Sequence, residues 1–199
     1  MGKQLDKWKK KSIFSKISDI FFIVFLVALV IPSSRTKVMA GINYLKAKVI
    51  SPKVNEQVIA QLSDADFSWQ LIDNKNNTVN LSDFKGKIIY INFWATWCGP
   101  CIGEMPEIQT FYNKFKDNKD VVFIIASSEN LDVIQKFIAD EGYTFPVFSI
   151  QSQVPAIMEY NTIPTSFLIN KTGGIVLHHT GVAKWGGEKM EKTIKNLLK

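Results

Sequence analysis

Cys98 and Cys101 are the only cysteines of the 199-residue chain, and two residues separate them. Structural disulfides usually staple distant parts of a small chain, and a structural zinc site needs four ligands. This chain has no second CxxC, and its two histidines, His178 and His179, are adjacent. Adjacent side chains on a strand face opposite sides, so these two do not readily share a metal. No metal site and no cofactor are expected, since flavin and nicotinamide motifs are also missing. The isolated pair suits redox chemistry, in which one thiolate attacks a disulfide and a neighbouring thiol resolves the mixed species.

Such a pair must be held by its surroundings. Residues 87–93 form a continuous apolar run with β-branched residues, the pattern of a strand buried on both faces. The cysteines follow in a turn, and a helix is expected over about 102–115. Unpaired N–H groups and the positive dipole end of that helix favour a thiolate in its first turn. Cys98 is therefore the expected attacking thiolate, with a lowered pKa, and Cys101 the resolving thiol. Pro100 is tolerated because the first helical turn needs no N–H donor.

Further strands are expected over 67–72, 78–81, 121–126 and 145–150, with a hairpin of 165–169 and 175–179. Helices are expected over 131–140, 154–160 and 188–198. Strands alternating with helices, then a hairpin and a closing helix, predict an α/β fold with a mixed central sheet covered on both faces.

At Trp97-Cys98-Gly99-Pro100-Cys101 and Thr162-Ile163-Pro164-Thr165 the chain resembles the thioredoxin superfamily. The resemblance implies a cis peptide at Pro164 facing the cysteines and a substrate strand laid along the backbone of Ile163. It also implies that Trp97 flanks the thiols and that Pro164 keeps metals off them. The stretch from Cys101 to Pro164 is longer than plain thioredoxin needs, and 131–150 supplies an extra helix and strand. With the 81–87 lead-in and Glu104-Met105-Pro106, the domain is similar to the TlpA/ResA group of exported disulfide reductases, some serving cytochrome c maturation. In ResA-like members a glutamate one turn beyond the second cysteine tunes the site, and Glu104 stands there. A carboxylate near Cys101 can raise that thiol's pKa or accept its proton. Thioredoxin carries a buried aspartate on the preceding strand where this chain has Asn92, which cannot accept a proton.

The net charge of +6 is unevenly placed. Residues 1–59 hold eleven Lys and Arg against three Asp and Glu, a net +8, while residues 60–199 net −2. A folded domain near neutrality offers no basic face, so no nucleic-acid partner is expected. A basic segment, 1–16, precedes an apolar run over 20–31, and Lys and Arg ahead of such a run keep the N-terminus inside while the remainder is exported. A signal anchor over 17–35, a cleaved signal peptide and a core helix compete for this segment. The small-residue sequence Val38-Met39-Ala40 lies late for cleavage. Residues 36–59 then form a linker in which 37–51, ended by Pro52, reads as an amphipathic helix on an anionic membrane surface or leading into the domain, or equally as a solvated linker helix, and the thioredoxin-like domain occupies 60–199.

The expected protein is thus a membrane-anchored thiol-disulfide oxidoreductase with its domain on the periplasmic, extracytoplasmic side. It reduces exported proteins that carry disulfides and is re-reduced by a membrane electron donor. An exported oxidase or isomerase, and a non-catalytic binding module of the same fold, are the competing readings.

Overall fold

The structure, a computed structural model, describes residues 12–30, 32–54 and 57–199. Most of the expected basic N-terminus lies outside the described residues.

Two helices come first, α1 (Ile13–Val30) and α2 (Pro32–Ala47). Among the described residues no helix is long and apolar enough to cross a membrane. The large apolar side chains of α1 are nevertheless exposed from Ile13 to Val27 wherever they are described. Helix α2 begins five residues and ends four residues earlier than the expected 37–51 segment. Proline is favoured at a first helical position, which accounts for a start at Pro32.

The domain runs β1 (Ala60–Gln61), α3 (Asp64–Phe67), β2 (Gln70–Ile72), β3 (Thr78–Asn80) and β4 (Ile88–Phe93). It continues with α4 (Gly99–Phe115), β5 (Val121–Ser127), α5 (Leu131–Glu141), β6 (Val147–Ile150), β7 (Thr165–Ile169), β8 (Gly174–Thr180) and α6 (Glu188–Leu198). The eight strands form one sheet in the order β1-β8-β7-β4-β5-β6-β2-β3. Strands β4, β5 and β6 are parallel, β7 and β2 pair antiparallel with β4 and β6, and β8 pairs antiparallel with β7, so the sheet is mixed.

Two expectations give way here. The expected strand over 67–72 is shortened because Ser63 and Asp66 form a capping box that winds 64–67 into a helical turn. The expected helix over 154–160 is a single 3-10 turn, Ala156–Met158, since Pro155 at its start and only three turn residues leave no room for α-helical bonding.

Period-2 alternation sorts β4 between two cores. Ile88, Tyr90 and Trp94 pack with Met105, Ile108 and Phe111 of α4, with Ile134 and Ile138 of α5, and with Met190 and Ile194 of α6. Ile89, Ile91 and Phe93 pack on the opposite face against Trp69, Leu81, Phe167 and Met158. Each fully buried large side chain of this kind contributes on the order of 1.5–3 kcal/mol relative to exposure. These contacts clamp the end of β4, the strand that leads into the cysteines.

Candidate active site

Cys98 is the N-cap of α4 and Gly99 and Pro100 open its first turn, three residues earlier than the expected helix start. Cys98 and Cys101 are joined in a disulfide, with Cα atoms 5.2 Å apart. The N–H of Cys101 donates to Cys98 Sγ at 3.2 Å, one of the orphan first-turn donors aimed at the sulfur. In the dithiol state that donor and the helix dipole favour the thiolate form of Cys98.

Register brings in the second half of the site. Phe93 pairs with Thr165, so the residues just before β7 lie beside the turn that follows β4. Ile163–Pro164 is a cis peptide, and the Ile163 carbonyl oxygen lies 3.8 Å from Cys98 Sγ. Trp97 is 69% exposed beside the disulfide, while Cys98 and Cys101 are almost enclosed. The structure thus brings Trp97, Cys98, Cys101, Ile163 and Pro164 to one place.

Glu104 is placed differently. It is fully buried, and burial raises its carboxyl from 4.5 to about 8 despite three donors that favour the charged form. Its Oε1 accepts from the Ala183 N–H at 2.9 Å and from the Trp185 indole N–H, and its Oε2 from Asn92 Nδ2 at 3.3 Å. These bonds tie Glu104 to the β8–α6 loop and to β4. Its hydrogen bonds among the described residues do not include either sulfur. Asn92 Nδ2 also donates to Ser166 Oγ at 2.9 Å, and Tyr90 OH meets the same hydroxyl at 3.1 Å. Asn92 Oδ1 is buried without a hydrogen bond among the described residues.

Two contributors were not evident from the sequence. Trp185 is fully buried, packed on Tyr90 with its indole on Glu104. Glu129 accepts from both the N–H and the hydroxyl of Thr96 at 2.7 Å, pinning the turn that carries Trp97. The only advance signal for either was residue type, a lone tryptophan and a lone acid in loops. His178 stacks on Phe167, and His179 meets Trp185 edge to face.

Helix α2 lies against α4 through two glycines. A Cβ on Gly103 would clash with the Ala40 carbonyl oxygen and meet Tyr44 N at 2.8 Å and Asn43 Cβ at 3.0 Å. A Cβ on Gly99 would sit 3.0 Å from Met39 Cβ and 3.1 Å from Thr36 O. The approach of the two backbones therefore depends on glycine at both positions. Ala47 is fully buried, and the Ile50 carbonyl accepts from the Lys184 N–H at 2.6 Å, which fastens the far end of α2 to the domain.

Comparison with known proteins agrees with this geometry. Residues 60–198 match the Redoxin family. The chain is 33% identical over 145 residues to the thiol-disulfide oxidoreductase ResA of Bacillus subtilis (strain 168), covering 72% of this chain and 79% of that protein. It is 35% identical over 133 residues to ResA of Bacillus thuringiensis subsp. konkukian (strain 97-27), covering 65% and 75% respectively. A crystal structure of a thiol:disulfide interchange protein from Chlorobium tepidum TLS superposes with a TM-score of 0.56 at 20% identity, over 75% of this chain and 97% of that one, a likeness of fold. A disulfide at the mouth of α4, a cis-proline beside it and relatives of this kind have one reading: the chain belongs to the Redoxin family of the thioredoxin superfamily, as a TlpA/ResA-like thiol-disulfide oxidoreductase.

Proposed function

We propose that the protein is a membrane-anchored reductant of disulfides in exported proteins. The observation that carries this reading is the Cys98–Cys101 pair at the N-terminus of α4, with Cys98 Sγ against the Ile163 carbonyl of the cis-proline loop. In the reduced enzyme the Cys98 thiolate attacks one sulfur of a substrate disulfide. A Cys98–substrate disulfide forms and the other substrate sulfur leaves as a thiolate. Cys101 loses its proton and attacks Cys98 Sγ, which releases the second substrate thiolate and closes the Cys98–Cys101 disulfide. Two electrons have then passed to the substrate, and a membrane electron donor restores the dithiol. The Gly99-Pro100 pair between the cysteines supports the reducing direction, since strongly oxidising relatives stabilise the thiolate further.

Trp97 and the Ile163–Pro164 backbone bind the substrate segment, Glu104 tunes the acidity of Cys101 from one helical turn away, and the proton lost by Cys101 passes to the departing substrate thiolate or to water. The exposed apolar side chains of α1, with the net +8 of residues 1–59, support an anchor whose N-terminus stays inside and whose domain faces the extracytoplasmic side. The ResA relatives, named as thiol-disulfide oxidoreductases, support the chemistry, and the resemblance to the TlpA/ResA group makes exported disulfide proteins, cytochrome c precursors among them, the substrate class.

Trapping tests the reading. Cys101→Ser should leave Cys98 to form adducts that cannot be resolved, and disulfide-linked partners should be recovered from cells. Cytochrome c precursors among them would place the protein in that maturation route. Complete absence of adducts, with Cys98 alkylating like a free thiol, would overturn the catalytic reading.

A further inference from the structure

Helix α2 forms one wall of the space beside the disulfide. A cleft of about 550 Å³ is lined by Arg35, Thr36 and Met39 of α2 and, across it, by Trp97, Cys98 and Ile163. A second cleft, of about 400 Å³, continues from Pro100, Ile163 and Pro164 to Asn43 and Lys46 of α2. Because Pro100 and Ile163 line both, the two make one groove along α2 with Cys98 in its floor.

The charge in that groove has one sign. Among the described residues lining it, Arg35 and Lys46 carry formal charge and no carboxylate is present. His179, the other titratable group there, is pushed below its usual range by burial and is neutral at pH 7. A cleft lined by one sign of charge focuses its field on the ligand and speeds the encounter with opposite charge. Arg35 and Lys46 are eleven positions apart, which is about 16 Å along a helix and matches about five residues of extended chain. The wall is fixed in place by the Gly99 and Gly103 seam at one end and the Ile50–Lys184 bond at the other.

We infer that α2 is the specificity wall of the active site. The groove takes an extended peptide whose disulfide-bonded cysteine is flanked on both sides by Asp or Glu, one carboxylate meeting Arg35 and the other Lys46. This inference rests on the thiol-disulfide oxidoreductase reading and names the substrate class for that site.

The test uses the reduced full chain and synthetic peptides of equal length, each with a single cysteine capped by 2-mercaptoethanol as a mixed disulfide. Flanking residues are Glu in one peptide and Lys in the other, spaced to reach both ends of the groove. At low salt the Glu peptide should be reduced about 10-fold faster or more, and the gap should shrink as salt screens the pair. R35E/K46E should reverse the order. K75E/K119E, which makes the same change of charge outside the groove, should keep it. Equal rates for the two peptides, or an order that R35E/K46E leaves intact, would overturn the inference while the enzyme reading stood. If neither peptide is reduced faster than by C98S, the enzyme reading fails and the inference falls with it.

Discussion

Glu104 is a carboxyl group whose folded environment favours its neutral form. Its pKa is raised by burial from 4.5 to about 8. Between those values the folded chain holds a proton that the unfolded chain has released. Stability is therefore greatest at low pH within this window and falls as pH rises from about 4.5 towards 8, by on the order of a few kcal/mol from this group. In Glu104→Gln that contribution to the slope should vanish, as read by urea unfolding of the oxidised protein at several pH values. A variant with the wild-type slope would show that Glu104 does not titrate in this way. The same network accounts for Asn92. An aspartate at that position would set a second carboxylate against Glu104 Oε2, where Asn92 Nδ2 now donates at 3.3 Å. The cysteines and Pro164 were legible in sequence because each sits in a short local motif. The partners of Glu104 were not, since Trp185 lies 81 positions away and only the fold brings it close.

The contact of α2 with α4 has a sharper requirement than any strand pairing in the molecule, because it rests on two hydrogen atoms. Gly103→Leu should force α2 off α4, at a cost of about 1–3 kcal/mol if the seam relaxes around the larger side chain. Trypsin should then cut after Arg35, Lys37 or Lys46 faster than in the wild type, while the remaining domain resists. Unchanged cleavage would mean that the seam tolerates a side chain. The alternating pattern of β4 and the apolar faces of α4 and α6 were readable because periodicity reports which side is buried. Helix ends were less so. Cys98 caps α4 through its sulfur, a role not apparent from residue type, and the short α3 depends on a bond between Ser63 and Asp66. Gly99 and Gly103 were visible as residues, but their spacing acquires meaning only when a second helix is laid across them.

Across the whole molecule, charge and apolar exposure fall in the same N-terminal stretch. The domain nets −2, and the +8 of residues 1–59 accompanies the exposed apolar side chains of α1. The full chain is expected to sediment with vesicles that contain anionic lipid, and to remain with them in about 1 M salt, where charge attraction is screened within about 3 Å. Release by salt would mean that basic residues alone make the contact. With α1 held in a bilayer, the placement of Arg35 across one cleft from Cys98 sets a distance. Arg35 stands five positions beyond Val30, a span of about 8 Å as helix and no more than about 18 Å fully drawn out. The sulfurs are therefore kept within a short reach of the lipid headgroups. A donor embedded in the same bilayer could deliver electrons there without a diffusing carrier, whereas a cystine buried deep in a bulky, already folded client would be kept out by the membrane itself.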